Sequence, residues 1–282
     1  MTQTTRQILK ISCPDQKGLI AGTTQVLAKA GANILDLTQH TATDIDTFFL
    51  RAMFECPVDS LSNIKIHIEE LGKRCAMDWD LHDANQKPKL ALFGSKTDHC
   101  LYELFLGQRD GDLACEFVCL ISNHVALEPV ARQFNIPFFL VSSTQSKAEQ
   151  EARFRDILAG SGAEALVLAR YMQILSPEFT REWDRKVINI HHGFLPAFKG
   201  AKPYHQAWAK GVKLIGATAH FATEDLDQGP IIWQSVQQVP DTCSIERFIQ
   251  IGKEVEKRTL AIALRYWIDH RVFVYQGRTF IL

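Results

Sequence analysis

Asn189 and His191 stand one residue apart at the end of the apolar run Val187–Ile190. Asp227 stands in a Leu-Asp-Gln-Gly-Pro turn just before the apolar run that opens at Ile231. An amide, an imidazole and a carboxylate suit attack on a small carbonyl. The amide donates to the carbonyl oxygen as negative charge develops. The imidazole moves protons near neutral pH, and the carboxylate orients it or the attacking water and favours the imidazolium. The plainer alternative is that Asn-x-His marks only the polar end of a strand.

The element carrying the pair supports the first reading. Side chains alternate along a strand, so Val187, Asn189 and His191 share a face. In a parallel sheet the ligand crevice lies off the carboxyl ends of the strands, where both polar groups would project. Around them, Leu90–Phe93, Phe117–Ile121, Pro137–Val141, Ala165–Leu168 and Val187–Ile190 are apolar without strict alternation. Helical patterns lie between them at Cys100–Gln108, Ala126–Phe134 and Lys147–Leu158. Such an order predicts a parallel sheet covered on both faces. A strand pair at Leu214–Phe221 and Ile231–Gln238, a helix from Ser244 to about His270 and a terminal hairpin complete this half.

The first 80 residues read differently, as βαββαβ. Ile8–Cys13 is a strand, and Asp15 is placed to cap a helix that Gly31 ends. Asn33–His40 is a second strand. Phe48, Leu50, Ala52 and Phe54 alternate with Phe49, Arg51, Met53 and Glu55, which predicts a third strand with one buried face. Leu61, Ile64, Ile68 and Leu71 predict a helix closed by Gly72, and Cys75–Leu81 the last strand. The stripe Phe48, Phe49 and Phe54 is expected in the core or an interface. The polar stretch His82–Lys89 is the best linker. The expected fold class is α/β: a ferredoxin-like domain over 1–84, a linker over 85–89 and a mostly parallel-sheet, Rossmann-like domain over 90–282.

Composition narrows the function classes. The chain has 282 residues and a net charge of −1, so no basic surface favours nucleic acid. Seven cysteines, an odd number and scattered, read as reduced thiols in a cytoplasmic protein. No signal peptide and no membrane-spanning run stand out. His191, His192 and His205 fit no zinc spacing and there is no HExxH, so no metal is expected. Their alternatives are a hydrogen-bonded His192 and a His205 at the pocket rim. His99 and Cys100 are neighbours on a helix and should point apart, which speaks against an activated thiol. Gly94, Gly107 and Gly111 make no GxGxxG, and the mixed charges of Lys253–Arg258 read as a solvated helix face.

Taken together, Asn189-x-His191 followed by Leu195-Pro196, Asp227 in its LDQGP turn, and Tyr171–Phe179 (YMQILSPEF) resemble the folate-dependent formyltransferase family over residues 89–282. The resemblance implies that Asn189, His191 and Asp227 are catalytic. It also implies that Met172, Gln173, Ile174 and Leu175 line a pterin pocket largely through backbone groups, with Thr223, Glu224, Asp225 and Leu226 closing its other side. Cys13–His40 resembles an ACT domain, which implies an amino-acid effector near Gly18, Gly31, Asn33 and Ile34, or a purely oligomer-building domain. A homo-oligomer, a tetramer, is the expected assembly.

Ser95–Phe105, Asn123–Phe138 and His191–Ala207 resemble the deformylase branch of that family. The resemblance implies hydrolysis of 10-formyltetrahydrofolate to formate and tetrahydrofolate, with folate as substrate and no cofactor, in one-carbon and purine metabolism. Transferases of the family that act on a phosphorylated amine carry a Gly-rich loop after the first strand of this domain. Here the loop is Phe93-Gly94-Ser95-Lys96-Thr97-Asp98, with one glycine and an acid, a poor phosphate nest. Gly193 departs from the family pattern, which has serine after the histidine pair. Formyl transfer to an amine and a non-catalytic folate sensor are the competing functions.

Overall fold

The computed structural model describes residues 3–196 and 203–282, and the chain divides into two compact units. One takes the chain up to Gln86 with Asp269–Phe273 and Phe280–Leu282; the other comprises Lys87–Ile268 and Val274–Thr279.

In the first unit, strands β1 (Thr4–Pro14), β2 (Asn33–Ala42), β3 (Thr47–Pro57) and β4 (Asp78–Asp83) form a sheet in the order β2-β3-β1-β4. All its pairings are antiparallel. Helices α1 (Leu19–Lys29) and α2 (Leu61–Cys75) contribute Leu19, Leu27, Ile64 and Ile68 to one core with Leu9, Ile11, Leu50 and Phe54. The βαββαβ order is the expected one, with three local differences. The N-cap of α1 is Gly18, at φ 92, rather than Asp15. Helix α2 runs past Gly72 to Cys75, ending where Ala76 turns left-handed; Gly72 serves packing, since a Cβ there would sit 3.3 Å from Trp79 Cδ1. The last strand accordingly starts at Asp78. Third, β3 is buried on both faces. Phe49 stacks on Phe280 at 4.5 Å between centroids and meets Phe273 at 5.6 Å, and Arg51 Nε donates to the Asp269 carbonyl. C-terminal residues remote in sequence therefore cover the face that alternation assigned to solvent.

In the second unit, strands β5 (Lys89–Gly94), β6 (Glu116–Ser122), β7 (Phe138–Leu140), β8 (Ala165–Leu168), β9 (Val187–His191), β10 (Leu214–Phe221) and β11 (Ile231–Gln238) form one sheet. Its order is β11-β10-β9-β8-β5-β6-β7, parallel from β9 to β7 and antiparallel at β10 and β11. Helices α3 (His99–Asp110), α4 (Glu128–Gln133), α5 (Lys147–Ser161), α6 (Pro177–Glu182), α7 (Pro203–Ala209) and α8 (Ile245–Ile268) belong to this unit. Leu90, Ala91, Leu92 and Phe93 are all fully buried, so both faces of β5 are covered. Phe154 and Ile157 of α5 and Phe179 of α6 pack on Phe93, Ile121 and Leu168. The short helices α6 and α7 were not legible as periodic runs. A last pair, β12 (Val272–Tyr275) and β13 (Arg278–Ile281), closes the chain as the expected hairpin.

The chain leaves β5 towards β6 and returns at β8 on the other side. That reversal of strand order opens a crevice beyond the carboxyl ends of neighbouring strands.

Candidate active site

Strand β9 delivers Asn189 and His191, and β10 runs antiparallel beside it with His220 opposite Asn189 and Thr218 opposite His191. His220 Nδ1 lies 2.9 Å from the Phe221 carbonyl. A carbonyl only accepts, so Nδ1 carries a proton, and Nε2 accepts from Asn189 Nδ2 at 3.1 Å. The amide is thereby fixed, with one N–H still free for a ligand.

Asp227 reaches back between the two imidazoles. Its Oδ2 lies 3.2 Å from His191 Nδ1 and its Oδ1 3.6 Å from His220 Nε2. The two neighbouring imidazoles, His191 first and then His220, hold its carboxyl well below the usual carboxylate range. His191 is buried, and its Nε2 has no hydrogen-bond partner. With Nδ1 committed to the carboxylate, Nε2 is the nitrogen left for substrate or water.

Asp227 holds φ 56, a left-handed conformation concentrated at functional sites. The turn closes because Gly229 follows: a Cβ there would lie 1.8 Å from the Phe221 carbonyl oxygen. Only glycine lets the chain return from Asp227 to start β11.

Asn189, His191, His220 and Asp227 line one cavity of about 270 Å³. Met172, Gln173, Ile174 and Leu175 line it from the segment after β8, and Thr223, Glu224 and Leu226 from the segment after β10; Asp225 does not line it and instead accepts from Thr223 Oγ1 through its carbonyl. Met172, Ile174 and Leu226 are large apolar side chains left exposed, the sort of surface a flat aromatic ligand covers. Three anchors fix the 172–176 segment. Met172 N donates to Ser95 Oγ, Lys147 Nζ donates to the Ile174 carbonyl, and the buried Glu151 accepts from Ser176 N and Oγ.

The loop after β5 is turned inward. Ser95, 2% exposed, donates to Asn123 Oδ1 at 2.7 Å, and its carbonyl accepts from Ser122 Oγ. Where Gly193 lacks a hydroxyl, Thr218 Oγ1 donates to the Gly193 carbonyl and accepts from Leu195 N and Gln234 Nε2. The later part of the His191–Ala207 motif, residues 197–202, lies outside the described residues.

Several residues stand elsewhere than the sequence suggested. His205 is exposed and does not line the cavity. His192 does line it, and burial and then the nearby Arg170 push its imidazole down to about 4. Glu256, placed on a solvated face by its neighbours' charges, is 1% exposed, hydrogen-bonds His99 Nε2 at 2.9 Å and Tyr204 Oη, and forms an ion pair with Arg170, whose Nε lies 3.3 Å away. His99 and Cys100 therefore do not point apart; their donor atoms and those of Glu256 lie within 4.8 Å of one another. Burial, the larger cause, and Glu256 push the Cys100 thiol well above the usual range, and Arg170 brings a cation. That donor set suits hydrogen bonds and an ion pair better than a metal.

Of the expected effector residues, Gly18 lines a cavity of about 460 Å³ in the first unit with Asp15, Gln16, Gln39, Thr41 and Phe48; Gly31, Asn33 and Ile34 do not line it.

Sequence reasoning missed His220, Arg170 and Glu256. His220 carried a signal, a histidine in the apolar strand IGATAHF with the same parity as Thr218. Arg170 and Glu256 carried none that a single sequence exposes.

Comparison with known proteins gives a consistent set of relatives. Residues 88–264 match the formyl transferase family model, and residues 7–74 the ACT domain model. The chain is 38% identical to the formyltetrahydrofolate deformylase of Bacillus subtilis (strain 168), over 97% of this chain and 92% of that protein. The crystal structure of formyltetrahydrofolate deformylase from Burkholderia mallei superposes with a TM-score of 0.91 at 41% identity, covering 99% of both chains. A glycinamide ribonucleotide transformylase 1 from Symbiobacterium toebii matches at a TM-score of 0.66 and 26% identity, covering 70% of this chain and 94% of that one.

Proposed function

The chain belongs to the formyl transferase family and, within it, to the formyltetrahydrofolate deformylases, and on that premise we propose how it hydrolyses 10-formyltetrahydrofolate to formate and tetrahydrofolate. The observation that carries the mechanism is the Asp227 carboxylate set between His191 Nδ1 and His220 Nε2, with the Asn189 amide beside them in one cavity.

The pterin lies along the backbone of Met172–Leu175, with Thr223, Glu224, Asp225 and Leu226 on its other side, Asp225 acting through the turn it holds. The formyl carbon then faces Asn189 and His191. Water adds to that carbon, and its proton passes to Asp227 directly or through His191. The free Asn189 N–H and protonated His191 stabilise the tetrahedral oxyanion. The C–N bond breaks, N10 takes a proton from His191, Asp227 returns to His191 the proton it took from water, and the product leaves as formate after giving its last proton to solvent. The steps use water and side chains of the chain, and the proposal includes no cofactor.

Water rather than an amine is the acceptor. The inward-turned Ser95 supports this, because its groups hold the substrate segment instead of cradling a phosphate. The test is to incubate purified protein with 10-formyltetrahydrofolate alone and assay formate. Formate release without an amine is expected; transfer to amines with no formate in their absence would overturn the reading.

For the first unit we propose an amino-acid effector, in the cavity around Gly18 or at the turn that carries Gly31, Asn33 and Ile34 at the other end of α1. The ACT match supports this. Titration calorimetry of the full chain with the common amino acids tests it, and no heat with any of them would leave only an assembly role. The proposed assembly is a homo-tetramer, to be measured by sedimentation. A reducing cytoplasmic setting fits seven free cysteines, five of them buried. Among the described residues no helix is long and apolar enough to cross a membrane.

A further inference from the structure

His192 lines the substrate cavity beside the trio, and no step above uses it. Strand β9 ends at His191, and continued alternation would turn the next side chain to the other face. The chain bends at His192 instead, so both imidazoles line one cavity with their ring centroids 5.3 Å apart. The bend is held from β10. Thr218 Oγ1 donates to the Gly193 carbonyl at 2.9 Å and accepts from Leu195 N at 3.0 Å. The His192 ring also meets the Tyr204 ring edge-on at 5.9 Å, and the Tyr204 hydroxyl is committed to Glu256. The ring is thus positioned by packing and by its backbone. Among the described residues neither of its nitrogens makes a hydrogen bond, and both are open to water. A half-buried imidazole with free nitrogens in a cavity is placed for a partner outside the chain.

The chemistry of the cavity identifies that partner. The Asn189 N–H and protonated His191 are donors, suited to the formyl oxygen. A water that attacks the formyl carbon must give its two hydrogens to acceptors, which turns a lone pair towards the carbon. Asp227 is one acceptor. Of the wall's other polar side chains, Thr180 donates to the Ser176 carbonyl and Thr223 to the Asp225 carbonyl. Glu224 is exposed and pairs with Arg181 at 3.7 Å, and His220 Nε2 already accepts from Asn189. His192 supplies the second acceptor. Burial, then Arg170, with His191 adding to them, outweigh the opposing pull of Glu256 and Asp227 and push its imidazole down to about 4. The neutral ring keeps one nitrogen as an acceptor at neutral pH. It also lines a second cavity of about 40 Å³ with Phe194, Ala207 and Gly216. That is room for a water, so water can stand at the ring while folate covers the larger space.

We propose that His192 is a further catalytic residue of the hydrolysis: a free ring nitrogen accepts a hydrogen bond from the attacking water and aims the water's lone pair at the formyl carbon. The proposal rests on the hydrolase reading above. As the new C–O bond forms, one water proton passes to Asp227, directly or through His191. The other stays on the oxygen, bonded to His192, and is the last proton that the product gives to solvent.

The test uses the full chain. His192→Phe keeps a planar ring and removes both nitrogens. Single-turnover formate release should fall about 10- to 100-fold through loss of the water's orientation, with KM changed by less than about threefold. His192→Gln and His192→Asn place an amide oxygen near the positions of Nε2 and Nδ1, and one of them should release formate at least about five times faster than His192→Phe. Hydroxylamine, a stronger nucleophile that needs no such aim, separates water handling from formyl activation. It takes the formyl group as the hydroxamate and releases tetrahydrofolate, and His192→Phe should do this within about threefold of wild type. Should His192→Phe not fold, His192→Leu takes its place in every arm. A folded His192→Phe or His192→Leu that releases formate within threefold of wild type overturns the proposal. So does a loss of the hydroxylamine reaction as large as the loss of hydrolysis, or a Gln and an Asn variant both as slow as His192→Phe. Failure of the hydrolase reading would look different, as a wild type that releases no formate from 10-formyltetrahydrofolate alone.

Discussion

Replacing Asp227 by Asn isolates the charge at the centre of the proposed mechanism. Asparagine keeps the size and shape of aspartate, and with aspartate it is among the few side chains tolerated in the left-handed region, where Asp227 sits at φ 56. Alanine would add backbone strain and confuse the result. The loss can be sized from the geometry. A carboxylate 3.2 Å from a protonated His191 Nδ1 is worth about 5 kcal/mol at an effective dielectric near 20. Asp227 is 18% exposed, so solvent recovers part of that, leaving about 3–5 kcal/mol of transition-state stabilisation. At 1.36 kcal/mol per decade, kcat should fall by about 10²- to 10⁴-fold. Folate affinity, set mainly by the Met172–Leu175 segment, should change by less than about threefold, a difference of under 1 kcal/mol. Formate release in single turnover gives the rate, and calorimetry with a non-hydrolysable folate gives the affinity. A folded Asp227→Asn turning over within tenfold of wild type would remove the carboxylate from the chemistry.

Ser95→Ala should leave Met172 N–H without its partner, at about 1–3 kcal/mol. KM should rise about 5- to 150-fold with kcat little changed, and an unaltered KM would show that the anchor does not shape the pocket. Gly229→Ala places a Cβ against the Phe221 carbonyl, so the Asp227 turn must open. Activity should collapse in protein whose far-ultraviolet dichroism remains native, and a fully active Gly229→Ala would contradict the packing. Acid stability should depend on His270, whose ring stacks on His82 at 3.8 Å. Burial, then His82, Lys10 and Arg51, push its imidazole down to about 3. The unfolded chain binds this proton near pH 6.5, so the folded state keeps its advantage above that pH and loses it as pH falls from 6.5 towards 3. At 1.36 kcal/mol per pH unit the full loss is up to about 5 kcal/mol. His270→Asn, which tolerates the left-handed φ of 54 at this position, should flatten the acid limb of a denaturation series; an unchanged limb would exclude His270 as its source.

Much of this organisation is legible without coordinates, for identifiable reasons. Strand parity alone puts Asn189 and His191 on one face, and a parallel sheet puts that face at the ligand crevice. Continuous apolar runs mark β5, β6, β8 and β9 because both faces of those strands must be covered. The strand pair β10–β11 reads directly because its ends coincide with a proline-glycine turn. What failed to read depends on contacts between distant segments. Alternation in β3 predicts one dry face, and nothing near Phe49 reveals that Phe273 and Phe280 cover the other. Glu256 has lysine and arginine neighbours in sequence, as an exposed helix residue would. Its burial is decided by His99, Arg170 and Tyr204, which lie 157, 86 and 52 positions away.

The two kinds of residue differ in what they demand of the chain. The catalytic trio needs polar groups at the ends of regular elements, so a motif with fixed spacing is sufficient to announce it. A buried charge such as Glu256 has to be enclosed by partners from distant segments, and enclosure is a property of packing. Gly252 illustrates the difference: inside a 24-residue helix it is locally unfavourable by about 1 kcal/mol relative to alanine, and no rule of helix formation explains it. It becomes intelligible once the Tyr204 ring is seen lying on it with its hydroxyl on Glu256. A destabilising residue kept in the interior of a helix is therefore a useful pointer. It marks where another element must approach closely, and here that approach encloses the Glu256 carboxylate.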